Sequence, residues 1–118
     1  MPRDYRLYLD DILDAVQKVD TYLKRVTFEQ FSEDSMRIDA VIRNLEIIGE
    51  ATKNIPVDIR SKYPEVEWRE MAGFRDIAIH EYFGVSLKVV WAIYQDDLLP
   101  LKAQITDVLE RENDSPST

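Results

Sequence analysis

The sequence predicts an all-α protein, an up-and-down four-helix bundle with an additional short or C-terminal helix. Apolar residues recur at helical spacing through most of the chain, whereas period-two alternation never persists long enough for a strand. The structure breakers Pro56, Pro64, Gly84 and Pro100 fall between the periodic stretches. Size agrees: 118 residues make one domain, and a 45% apolar share is that of an ordinary globular core. The helical domain is expected over 1–112, with a polar, flexible tail over 113–118.

Pro2 suits the first turn of a helix. From Tyr5 onward, Leu9, Ile12, Leu13, Val16, Val19, Leu23 and Val26 form one apolar stripe, so a first helix is expected to reach about Val26. Thr27 to Phe31 breaks the pattern, and its two phenylalanines are expected to plug the core beneath a turn. Ser32 or Asp34 can cap a second helix, which Pro56 stops at about Asn54. Apolar residues from Met36 to Ala51 nearly circle that helix, which places it centrally or against another chain. Its polar residues Arg43, Glu46, Glu50 and Lys53 lie along one stripe. The simpler reading of them is a solvated ion-pair ladder; the other is that Arg43 or Glu50 lines a site opposite Arg75.

Pro56 to Tyr63 reads as a short helix or turn, closed by Pro64. A third helix begins between Glu65 and Trp68, and Gly84 ends or bends it. Ser86 caps a fourth helix through Leu87, Val90, Trp91 and Tyr94. Pro100 permits a fresh helix start, and Leu101, Ile105, Val108 and Leu109 carry the spacing to about Glu112.

Several chemistries are excluded early. The chain has no cysteine, hence no disulfide, thiolate metal site or cysteine nucleophile. Its start lacks the pattern of a signal sequence, and no apolar run is long enough to span a bilayer; a soluble, cytoplasmic protein is expected. His80-Glu81 invites comparison with the zinc-protease motif, but the second histidine would fall at Gly84. No cofactor-binding glycine pattern appears, and no metal ligand set is expected, although a carboxylate-only magnesium site stays open. The net charge of −8 opposes RNA binding by the overall field, so positive charge would have to be concentrated locally.

The stretch Phe74-Arg75-Asp76-Ile77-Ala78-Ile79-His80-Glu81-Tyr82 holds the only histidine. A guanidinium grips phosphate with parallel hydrogen bonds, an imidazole moves protons near neutral pH, and a phenol can accept a transferred group. With the ribose 2′-OH as internal nucleophile, these groups suffice to cut RNA without a metal: His80 for proton transfer, Arg75 for the phosphate charge. The alternative is a polar helix rim with no chemistry. On an ideal helix, positions 75 and 82 lie roughly 20° apart, whereas 80 lies roughly 140° from 75. Either the last turn loosens at Gly84, or two chains share the site across a two-fold axis.

Arg75, four residues, His80, one residue and Tyr82 resemble the Arg-x4-6-His-x-Tyr signature of HepT-type toxins, small all-helical proteins of the HEPN superfamily. The flanks Trp68-Arg69-Glu70-Met71-Ala72-Gly73-Phe74 and Val90-Trp91-Ala92-Ile93 are similar too, as is Arg43-Asn44-Leu45-Glu46-Ile47-Ile48-Gly49-Glu50-Ala51, so that the likeness runs from Tyr5 to about Leu109. The resemblance implies a homodimer with paired motifs in a cleft. It also implies an endoribonuclease toxin of tRNA or mRNA, neutralised when an MntA-like nucleotidyltransferase antitoxin transfers AMP to Tyr82. Asp76 matches a polar residue often found beside the motif arginine, where it would orient Arg75 or His80. A different reading is a non-catalytic helical nucleotide-binding or scaffold partner of a nucleotidyltransferase, which the acidic charge suits better.

Overall fold

In the computed structural model, residues 3–82 and 86–114 are described, without the side chains of residues 80–82. Helix α1 spans Tyr5–Leu23, and the Asp4 side chain caps it by accepting from Arg6 N at 2.9 Å. Its apolar stripe is buried as expected: Leu9, Ile12, Val16, Val19 and Leu23 are at most 1% exposed. The helix stops short of Val26 because Arg25 takes a left-handed conformation with φ 65°. A non-glycine residue there cannot continue a right-handed helix.

Where a turn was expected, Phe28–Ser32 forms the short helix α2. Thr27 and Gln30 make a reciprocal capping box that supports even this single turn. Phe31 is fully buried, and the rings of Phe28 and Phe31 lie 5.8 and 5.5 Å from that of Trp91, so they do plug the core.

Helix α3, Ser35–Lys53, is capped by Asp34 and ends at Asn54, just ahead of Pro56. It packs on α1 along one side and on α5 (Trp68–Tyr82) along the other. Val41, Leu45 and Ile48 are buried, Ile38, Ile42 and Ile47 half-buried, and Met36 is 82% exposed. The apolar circle is therefore covered over most of its length by this chain's own helices. Helix α4, Val57–Lys62, is the short helix between the prolines.

Ser86 caps α6, Leu87–Ala92, through Lys88 N. The fresh start expected at Pro100 does not occur. A π-helical segment, Ile93–Leu98, follows α6 directly and leads into α7, Leu99–Asp114. Proline lacks an N–H and clashes with the carbonyl four residues back; a widened turn just before Pro100 accommodates it and lets the helix run on. The expected C-terminal helix is thus the continuation of the fourth. Gly84 lies outside the described residues, as does 115–118 of the tail. The described residues are helical with no strand, as an all-α bundle requires, and none of their helices is long and apolar enough to cross a membrane.

One polar knot ties the ends of the bundle together. The Glu112 side chain, 5% exposed, accepts hydrogen bonds from Tyr5 Oη (2.6 Å), Lys62 Nζ (2.7 Å) and Tyr63 Oη. Desolvation alone would raise this carboxyl, but the three donors outweigh it and hold it at about 2. Burial, followed by the bond to Glu112, pushes both Tyr5 and Tyr63 up to about 12.

Candidate active site

Helix α5 carries the motif and is anchored at its start by Trp68, whose indole N–H donates to the Tyr63 carbonyl at 2.9 Å. Met71, Phe74 and Ala78 give it a buried face. Arg75 follows Phe74 at the edge of that face, its side chain 38% exposed.

A glycine sets how close α5 comes to α3. A Cβ built on Gly49 would lie 2.5 Å from Arg75 N, 2.7 Å from Arg75 Cβ and 3.0 Å from Arg75 Cα. The backbone of α5 therefore rests on α3 at this point, with no side chain between them. The next residue, Glu50, reaches across the crossing and brings Oε1 to 2.7 Å from Arg75 Nε. Nε is itself buried, and its N–H does not aim at Glu50: it has no aligned hydrogen-bond partner among the described residues. The contact is an ion pair held by charge, with the directional bond unmade.

This geometry separates the polar residues of α3. Arg43 pairs along its own helix with Glu46 at 3.0 Å, one rung of a ladder, whereas Glu50 leaves the ladder for Arg75. A shallow groove lined by Tyr8, Asp11, Arg43, Ile47, Glu50, Ala51 and Asn54 runs beside the pair, so Arg43 borders it without touching Arg75. Asp76 is exposed and makes no ion pair with Arg75; consecutive helical residues do not face each other, and the carboxylate against Arg75 is that of Glu50. His80 and Tyr82 belong to α5 by their backbone, while their side chains lie outside the described residues. The helix holds through Tyr82, so the loosening considered for the last turn does not begin before that residue.

Another concavity lies at the far side of α5. Glu67, Glu70, Met71, Phe74, Asp96, Asp97 and Gln104 line a cleft of about 120 Å³ where the π-helical segment passes. Partial desolvation, then the charge of Asp97 and a hydrogen bond with it, and last Glu67, raise the Glu70 carboxyl. Four carboxylates repel phosphate, so this cleft is not where RNA would bind. Among the described residues, no group of three or more His, Asp or Glu side chains is arranged to hold a metal ion.

Comparison with known proteins agrees with the family resemblance. The family model described as "Ribonuclease HepT-like" matches residues 12–108. A protein of Thermococcus cleftensis named a probable ribonuclease HepT is 45% identical over 104 residues, 88% of this chain and 94% of that one. A protein of Caldanaerobacter subterraneus subsp. tengcongensis named as a candidate RNase is 40% identical over 107 residues, 91% of this chain and 96% of that one. One from Methanocaldococcus jannaschii, named as a gamma-glutamylcyclotransferase and candidate RNase, is 41% identical over 110 residues; the match takes 93% of this chain but 50% of that longer protein. No solved structure matches significantly.

Proposed function

Because the chain belongs to the HepT-like ribonuclease family, we propose that it is a metal-independent endoribonuclease toxin that cuts tRNA or mRNA with Arg75 and His80. We propose further that an MntA-like nucleotidyltransferase antitoxin silences it in the cytoplasm by transferring AMP to Tyr82. The state of Arg75 carries the first half. Its guanidinium is part-exposed, oriented by a charge across a tight helix crossing and not saturated at Nε, on the helix that carries the only histidine five residues later.

In this reading the ribose 2′-OH attacks the adjacent phosphorus. His80 takes its proton or protonates the departing 5′-oxygen, and Arg75 offsets the charge that builds on the phosphate oxygens. The P–O5′ bond breaks, leaving a 2′,3′-cyclic phosphate and a 5′-hydroxyl. In the silencing step the Tyr82 oxygen attacks the α-phosphate of ATP and pyrophosphate leaves. The attached AMP places an anion beside Arg75, where it competes with RNA phosphate.

The helix that persists through Tyr82 keeps positions 75 and 80 on different sides of α5, roughly 140° apart. We therefore assign the active form to a homodimer in which Arg75 of one protomer works with His80 of its partner.

The test uses the purified full chain and an RNA oligonucleotide. Wild-type protein should cut it in excess chelator and leave a 2′,3′-cyclic phosphate, while Arg75→Ala and His80→Ala fold but do not cut. Mixing the two inactive variants should restore about a quarter of the activity, because half the dimers are mixed and each has one intact composite site. A Mg²⁺-dependent product with a 3′-hydroxyl, or full cleavage by His80→Ala, refutes the chemistry; no restoration on mixing refutes the shared site. The net charge of −8 favours one other reading, a non-catalytic helical partner of a nucleotidyltransferase. It requires that wild-type protein not cut at all.

A further inference from the structure

We infer that Glu50 is a positioning residue for Arg75: its carboxylate fixes the guanidinium in the orientation that receives the RNA phosphate, at the expense of ground-state affinity. The inference rests on the assignment of Arg75 to phosphate binding made above.

Three features of the crossing support it. First, Glu50 sits where α3 and α5 touch backbone to backbone, so the base of the Arg75 side chain is fixed to within the play of two packed helices. Only the long end of the side chain retains freedom, and the Oε1–Nε contact at 2.7 Å restrains it. Second, the restraint is electrostatic. The buried Nε–H is not aligned with the carboxylate and has no hydrogen-bond partner among the described residues, so holding Arg75 has not consumed that donor. The side chain as a whole is part-exposed, and a phosphate oxygen, a strong acceptor for a guanidinium, can reach that exposed part while Glu50 stays at Nε. Third, Glu50 has a cation three residues on along its own helix, Lys53, yet its ion pair is with Arg75 on α5.

A purely structural role predicts something different. Both side chains are well exposed, 38% and 47%, and exposed pairs contribute little to stability. Losing the Glu50 charge should therefore leave the fold intact, with an unchanged unfolding midpoint. Its effects should appear at the site, and with opposite signs. A carboxylate close to the guanidinium repels a phosphate bound to the same group, so removing the charge strengthens binding. The same removal releases the guanidinium from its orientation and slows the step in which charge develops on the phosphate.

The experiment compares wild type, Glu50→Gln, Arg75→Ala and the double variant. It measures the dissociation constant for an RNA oligonucleotide carrying a 2′-deoxy group at the cut, and the single-turnover cleavage rate on the all-ribose strand. Glu50→Gln should bind the blocked strand about threefold more tightly and cleave about tenfold more slowly. In the Arg75→Ala background it should leave binding unchanged, because Glu50 acts through that arginine. Rate and affinity falling together, neither moving, or an equal binding change in both backgrounds overturns the inference. If Arg75→Ala binds and cuts like wild type, the parent assignment of Arg75 fails instead, and the inference fails with it.

Discussion

The Gly49 crossing makes a sharp prediction. Replacing Gly49 with alanine adds one methyl group, which would lie 2.5 Å from Arg75 N and 3.0 Å from Arg75 Cα. Both are backbone atoms of α5, so no rotamer change relieves the clash. Non-bonded carbons settle at about 3.5–4.0 Å, so the helices must part by roughly 1 Å along this line. Forcing a methyl into a packed interior costs roughly 1–3 kcal/mol. Against that, alanine gains about 1 kcal/mol over glycine in a helix interior. Because the clash is with backbone, its cost falls in the upper half of that range, and Gly49→Ala should be destabilised by about 1–2 kcal/mol net, Gly49→Val by more. The internal control is Gly73 on α5, where an added Cβ meets nothing within 4 Å. Gly73→Ala should be stabilised by about 0.5–1 kcal/mol through propensity alone. Urea unfolding followed by circular dichroism reads both; with a slope of about 1–3 kcal/mol per molar, the two midpoints should move in opposite directions by several tenths molar. Gly49→Ala as stable as Gly73→Ala would mean that α3 and α5 are not in backbone contact, and the account of how Arg75 is placed would fall with it.

The Glu112 knot predicts an acid-sensitive fold. Its folded pKa of about 2 lies below the ordinary 4.5, so its contribution is complete above pH 4.5 and is lost as pH falls towards 2. The shift corresponds to about 3 kcal/mol, to be trimmed to roughly 2 because Lys62, one of the three donors, is half-exposed and screened by solvent. Glu112→Gln should cost about that much at pH 7 and much less at pH 2.5; an equal penalty at both pH values would contradict the knot. At the alkaline end, Tyr5 and Tyr63 stabilise the fold below pH 10 and lose that contribution as pH rises towards 12. Tyr82→Phe should keep much of its cleavage, since the phenol has no part in the proposed 2′-OH mechanism, and should resist silencing by the proposed nucleotidyltransferase antitoxin with ATP and Mg²⁺. AMP mapped to Tyr63 or Tyr94, or loss of Tyr82→Phe activity on such treatment, would remove Tyr82 from that role.

The bundle was legible because its signals are local. Asp34 and Asn54 bracket α3 through a side-chain cap and the approach of Pro56, and Ser86 caps α6 in the same way. The structure departs from the expected elements where a local signal is ambiguous. Thr27 and Gln30 have capping-box spacing, which could have identified α2 in advance. Arg25 carries no glycine-like mark of its left-handed conformation, so α1 was expected to run too far. Pro100 announced a helix start because proline usually does; a π-helical detour is a tertiary solution that spacing does not reveal. The Glu112 knot was missed for a different reason. Its partners lie 107, 50 and 49 residues away, and only the closed bundle brings them together.

The site divides along the same line. Chemical type and spacing single out Arg75 and His80 as candidates, but they do not say whether Glu50 belongs to a surface ladder or to Arg75, because a helical stripe does not say which neighbour it faces. Gly49 decides it. A residue without a side chain lets α5 settle onto α3 at Arg75, and the residue after it is then the one in reach of the guanidinium. One turn of α3 thus performs two tasks on adjacent residues, close approach at 49 and orientation at 50. These tasks are separable: Gly49→Ala should lower stability, and cleavage with it, by shifting α5, whereas Glu50→Gln should alter rate and affinity at an unchanged unfolding midpoint. If both variants lost stability and cleavage in the same proportion, the crossing would be only a packing contact, and the placing of Arg75 would need another cause.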